Sequence, residues 1–97
     1  MKSLREKVYA LVKKIPKGEV KTYKEIAETL NTSPRAVARI LSQNPYPIKI
    51  PCHRVIRSDG RIGGYTFKGK RKDGMKISLL RKEGIKIING KIKEKIT

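Results

Sequence analysis

One domain, mainly helical with small β elements, is the fold class this sequence predicts, and three observations predict it. The chain has 97 residues, enough for one modest core. Its N-terminal half places apolar residues at helical spacing in three stretches, the last two separated by a short polar break. Asn89-Gly90, between Ile-rich arms, signals a C-terminal β-hairpin. Hydrophobic residues make up only 37% of the chain, but they are largely Ile, Leu and Val at patterned positions, which argues for folding over disorder.

The first helix opens at "SLREKVYALVKKI", where Ser3 and Glu6 have capping-box spacing and Leu4, Val8, Leu11, Val12 and Ile15 share a face. Pro16 and Gly18 stop it. Thr22 and Glu25 repeat the capping box ahead of a second helix with Ile26, Ala27 and Leu30 on its apolar side. Ser33 caps a third helix that starts at Pro34; Val37, Ile40 and Leu41 face inward, Arg35 and Arg39 outward. Two short helices joined by a tight polar turn, the second bearing Arg and small residues, read as a helix-turn-helix. Pro45, Pro47 and Pro51 then make a stiff strut, and Pro51 suits the start of a single helical turn. Gly60, Gly63 and Gly64 allow close backbone approach. Asp73 is expected to cap a last helix holding Met75, Leu79 and Leu80, with Gly84 at its C′ position.

Charge narrows the function classes. With 25 Lys and Arg against 8 Asp and Glu, the net charge of +17 calls for a polyanionic partner, and nucleic acid fits best. A merely solvated, Lys-rich surface would carry both signs more evenly. One Cys allows no internal disulfide, and one Cys with one His builds no structural zinc site, so no metal is expected. The N-terminus has no apolar leader and no stretch is long enough to span a membrane, so the expected setting is cytoplasmic and reducing, without a membrane partner.

That Cys and that His stand side by side as Cys52 and His53, after Pro51 and before Arg54. A lone Cys is most often a small buried hydrophobe. Here His53, Arg54 and Arg57 suggest an electropositive setting, and a helical turn at Pro51 would favour a thiolate. Neighbouring side chains rarely bond directly. A water could bridge thiol and imidazole, with a carboxylate orienting the far ring nitrogen.

"PCHRVI", with "RAVARILSQNPYPIKI" before it and "GGY" after it, resembles the O6-alkylguanine-DNA alkyltransferases over about residues 4 to 85. The resemblance implies a winged-helix-like helix-turn-helix domain that binds double-stranded DNA through the minor groove. It also implies flipping of O6-alkylguanine from the stack and irreversible transfer of the alkyl group to cysteine, by a monomer without a cofactor. On that resemblance Cys52 is the alkyl acceptor, His53 takes its proton through a water, and Glu83 orients His53. Asn44 joins the DNA-binding helix to the strut. Arg35 fills the gap left by the flipped base, and Arg39 and Arg54 belong with it on the DNA-binding side. Tyr23 crowds the phosphate and meets the guanine, Tyr65 walls the pocket, and Thr66 meets the base. The carbonyls of Cys52 and Val55 read the exocyclic amine.

Two departures stand out. Family members commonly carry an N-terminal α/β domain, so residues 1–97 are read as the catalytic and DNA-binding domain alone. The segment "TFKGKRKDGMKI" is longer and more basic than the family's Gly-rich stretch, which is expected to alter the pocket lid around Thr66. Two other functions are weighed. Alkyltransferase-like damage sensors replace the cysteine, commonly with tryptophan; this chain keeps Cys52 and has no Trp. A plain helix-turn-helix module with an inert Cys would read sequence in the major groove.

Overall fold

The computed structural model describes residues 2–46, 49–67 and 70–92, with only the backbone of Thr66 and Phe67. Helix α1 (Leu4–Lys13) starts on the expected reciprocal cap: the Ser3 hydroxyl accepts the Glu6 N–H and the Glu6 carboxylate accepts the Ser3 N–H, both at 3.2 Å. Val8 and Val12 are its buried residues, while Leu4, expected on the same face, stays exposed in the first turn.

Strand β1 (Lys21–Thr22) pairs in parallel with β2 (Val55–Ile56), in the register Lys21 to Val55 and Thr22 to Ile56. Nothing in the sequence marked this pair, because two residues are too few to show an alternating pattern. Its consequence is large. Thr22 also caps α2 (Tyr23–Thr29), its hydroxyl accepting the Glu25 N–H at 3.0 Å, so Tyr23 begins its helix next to the chain leaving Cys52. After α2, Asn31 adopts φ 55° and the Thr32 N–H bonds back to the Ala27 carbonyl at 2.9 Å. Ser33 then caps α3 (Pro34–Ser42) through the Ala36 N–H at 3.1 Å. Helix α3 buries Val37 and Leu41, keeps Ile40 half-buried and exposes Arg35 and Arg39, completing the helix-turn-helix.

Asn44 is buried at the end of α3. Its Nδ2 donates to the Ile50 carbonyl at 2.9 Å and its Oδ1 accepts the Tyr46 N–H at 2.8 Å, so one side chain closes the strut on itself. Pro47 lies outside the described residues. After Pro51, residues Cys52–Arg54 make one 3-10 turn, the helical turn that the proline suggested.

The long basic segment forms a small hairpin, β3 (Thr66–Phe67) against β4 (Lys70–Arg71). Helix α4 (Asp73–Lys82) follows, but Asp73 is not its cap. Lys72 holds that position without a side-chain bond, because the Asp73 carboxylate accepts the Tyr65 N–H at 2.9 Å and Arg71 Nε at 3.0 Å instead. Gly84 follows the helix at C′ as expected. Strands β5 (Ile87–Ile88) and β6 (Lys91–Ile92) form the expected hairpin. Asn89 (φ 53°) and Gly90 (φ 74°) both take the left-handed geometry that a type I′ turn requires. Residues 93–97 of its outer arm lie outside the described residues.

The apolar interior divides in two. Val8, Val12, Ile26, Val37 and Leu41 pack the three N-terminal helices onto Cys52, Val55 and Tyr65. Val20, Ile56, Ile62, Leu80 and Ile87 join β2, α4 and the C-terminal hairpin. The Cys52 turn lies between these groups. No helix among the described residues is long and apolar enough to cross a membrane.

Candidate active site

Cys52 lines a recess of about 250 Å³ with Tyr23, Ala38, Gly64, Tyr65 and Arg71. That is below the roughly 300 Å³ where pockets for drug-sized ligands begin, and it suits one planar ring. A wider recess beside it shares Tyr23, Ala38 and Gly64 and adds Lys24, Arg35, Arg57 and Ser58. Together the two make a trough running from the exposed start of α3 to the thiol.

Burial raises the Cys52 thiol above its ordinary pKa, with the Asn44 amide and Lys76 pulling the other way. This corrects the expectation of a thiol depressed by adjacent cations. Arg54 is turned away and Arg57 is exposed, so neither neutralises the sulfur. A buried, protonated thiol needs a base before it can act as a nucleophile.

Next to Cys52 in the chain is an ion-paired cluster between the 3-10 turn and α4. His53 is 2% exposed, and its Nε2 sits 3.0 Å from Glu83 Oε2. Arg54 grips the same carboxylate twice, Nε to Oε1 at 2.9 Å and Nη2 to Oε2 at 2.8 Å, while its Nη1 donates to the Ile15 carbonyl at 2.8 Å. Burial alone would raise the Glu83 carboxyl, but bonds and charge from Arg54 and His53 bring it down to about 2. An ionised Glu83 accepts the Nε2–H, so in neutral His53 the lone pair is on Nδ1. That atom is buried and has no hydrogen-bond partner among the described residues. Burial lowers the His53 pKa more than Glu83 raises it, keeping the imidazole neutral.

Lys76 was not foreseen. It is wholly buried on α4, with Nζ donating to the carbonyls of Val55 at 2.7 Å and Gly64 at 3.2 Å. Nζ also stands 3.5 Å from the Tyr23 hydroxyl, at the outer limit of a hydrogen bond. Burial brings its pKa down to about 8, against the pull of Cys52 and Asp73. The Tyr23 hydroxyl is pushed up to about 12, chiefly by burial, and so stays protonated at neutral pH. Spacing held a signal: Lys76, Leu80 and Glu83 fall at i, i+4 and i+7, one face of a helix. A lysine on the buried stripe is the anomaly.

The remaining expected residues fall as follows. Tyr65 is 3% exposed, lines the recess, and its hydroxyl has no partner among the described residues. Arg35 borders the wider recess, and Arg39 is exposed one turn on. The Val55 carbonyl already accepts Lys76, so one of its two lone pairs is taken. Arg54, expected to face DNA, is turned inward onto Glu83, which explains an arginine beside this histidine better than phosphate does. The Thr66 side chain lies outside what the structure describes.

Known proteins show which family this chain falls in. Residues 3–85 match the family model described as 6-O-methylguanine DNA methyltransferase, DNA binding domain. The methylated-DNA–protein-cysteine methyltransferase of Saccharolobus islandicus (strain L.S.2.15) is 53% identical over 83 residues, covering 86% of this chain and 52% of that protein. The crystal structure of O6-methylguanine-DNA methyltransferase from Pyrococcus kodakaraensis superposes with TM-score 0.75 at 43% identity, covering 88% of this chain and 48% of that one. S. pombe Atl1, in complex with damaged DNA containing O6-carboxymethylguanine, superposes with TM-score 0.79 at 30% identity, covering 96% and 91%. The chain thus spans about half the length of the curated relatives it matches. On the family match over residues 3–85 and the identity to its relatives, this chain belongs to the 6-O-methylguanine DNA methyltransferase family, through that family's DNA-binding domain.

Proposed function

We propose that the protein repairs O6-alkylguanine in double-stranded DNA by moving the alkyl group onto Cys52, once per molecule. One observation carries the reading. The only cysteine opens into a ring-sized recess between Tyr23 and Tyr65, next to a buried His53 whose Nδ1 is left without a partner.

The chemistry follows from that arrangement. Arg54 keeps Glu83 ionised, Glu83 fixes the His53 tautomer, and Nδ1 takes the thiol proton through one water. The sulfur attacks the alkyl carbon, an S–C bond forms, and the C–O6 bond breaks with its electron pair going to guanine. The guanine anion then takes a proton from solvent, to which His53 returns the one it held, while the Tyr23 hydroxyl, on a residue lining the recess, donates a hydrogen bond to the departing base. The Lys76 ammonium, between Cys52 and Tyr23, offsets negative charge first on sulfur and then on the leaving base. No cofactor or metal enters this balance. A thioether is not reversed by anything in the chain, so the protein is consumed.

Inside a duplex the O6 atom is out of a cysteine's reach, so the base must leave the stack. Arg35, at the head of the trough, is assigned to fill the gap, with the minor groove facing α3 and Arg39 on phosphate. Asn44 holds the strut that carries Cys52, and on the family resemblance Thr66 and the Val55 carbonyl are assigned to the base edge. On this reading the protein acts as a monomer inside the cell, where its DNA substrate is found and a reducing environment keeps the thiol free.

A second reading has one observation in its favour. S. pombe Atl1, in complex with damaged DNA, superposes with TM-score 0.79, against 0.75 for the Pyrococcus methyltransferase. On that reading the chain grips alkylated DNA without transfer. Digesting a treated O6-methylguanine duplex to nucleosides separates the two. Transfer predicts loss of O6-methylguanine and an equal gain of guanine, abolished in Cys52→Ala. Intact O6-methylguanine in tightly bound DNA would establish the sensor.

A further inference from the structure

We propose that Arg71 sets the substrate range of the Cys52 recess, favouring O6-substituents that carry a carboxylate, such as carboxymethyl. The proposal rests on the alkyl-transfer reading above and deepens it. Arg71, on β4, lines the same recess as Cys52, Tyr23, Gly64 and Tyr65. Its Nε is fixed by both Asp73 carboxylate oxygens, at 3.0 and 3.3 Å. Asp73 is itself held by the Tyr65 N–H, so the guanidinium is tied to the residue that walls the recess. A Cβ on Gly64 would stand 2.8 Å from Nη2, so the guanidinium packs directly against the Gly64 backbone. That close approach is the one the glycine pair permitted.

Asp73 engages Nε, and the two Nη groups remain on the side of the recess and the solvent, with the side chain 73% exposed. A substituent on O6 points toward the sulfur. A methyl group gains nothing from a guanidinium, but a carboxymethyl group presents two oxygens that match its N–H fork. Attack on that methylene also brings thiolate and carboxylate together, and a nearby cation offsets their repulsion. The atoms balance as for methyl: sulfur bonds the methylene, O6 departs with the electron pair, and the carboxylate is unchanged. Because the pair is open to water, its effect is set by exposed ion pairs, about five-fold in rate ratio.

The experiment measures single-turnover transfer from O6-carboxymethylguanine and O6-methylguanine in the same duplex, and takes their ratio. Arg71→Gln is expected to lower the carboxymethyl-to-methyl ratio about five-fold, whatever it does to each rate, and Arg71→Lys to restore most of it. An unchanged ratio, including a parallel fall that marks a phosphate contact, would overturn the assignment. The same ratio is read for binding affinity in proteins that also carry Cys52→Ala. If the wild type transfers neither group, the alkyl-transfer reading fails, yet a binding ratio lowered by Arg71→Gln still upholds the role of Arg71 and an unchanged one removes it.

Discussion

At the scale of single residues, Cys52, His53 and Arg54 on one buried turn stand against Lys76 and Glu83 on one helix face. The strongest test of that wiring is Glu83→Gln, which keeps the shape of the side chain and removes its charge. Since burial lowers the His53 pKa from 6.5, the wild-type rate should hold its acid side to below that pH. Glu83 is a group that raises the His53 pKa, so its loss should move the acid limb lower still and weaken the base. Transfer at neutral pH is expected to fall on the order of tenfold, about 1.4 kcal/mol of barrier. The gap should narrow in alkali, where the thiol ionises unaided. A stopped-flow pH profile identical to wild type would remove Glu83 from the relay. Cys52, His53 and Glu83 were legible because the Pro-Cys-His-Arg-Val string is distinctive. Lys76 was not, since one lysine among 25 basic residues draws no notice until its helical spacing is checked. Arg54 was misassigned for a related reason: charge in a sequence does not say which way it points.

Among elements, caps were the clearest signals. Ser3, Thr22 and Ser33 each accept the expected N–H, because capping depends on neighbours three residues away and on nothing distant. Ser33→Ala should cost about 1 kcal/mol of stability, read as an earlier denaturant midpoint with an unchanged slope. No loss would mean that Pro34 alone sets the start of α3. Where an element depended on a distant partner, local pattern failed. Parallel β1 and β2 are 34 residues apart in register, Lys21 to Val55, and each is too short to show an alternating pattern. Asp73 had the right residue type for a cap, but Tyr65 and Arg71, reached only through the fold, claim its carboxylate. The basic segment before α4, expected to alter the pocket lid, forms a hairpin that brings Arg71 to the recess.

For the molecule as a whole, charge and topology act together. A net charge of +17 supplies a sequence-blind attraction to DNA, while the helix-turn-helix and the Cys52 turn confine chemistry to one trough. Cys52 and Val55 belong to one apolar cluster and Ile56 to the other, so the thiol is buried where the chain passes from one to the other. That position explains both its raised pKa and its need for His53. The central claim is single, irreversible transfer to this thiol, and intact-protein mass spectrometry after incubation with an excess of O6-methylguanine duplex tests it most directly. The account predicts one added methyl group per chain, located on the Cys52 peptide, with the reaction stopping after one equivalent of DNA. An unchanged mass, a methyl group on another residue, or continued turnover would contradict it.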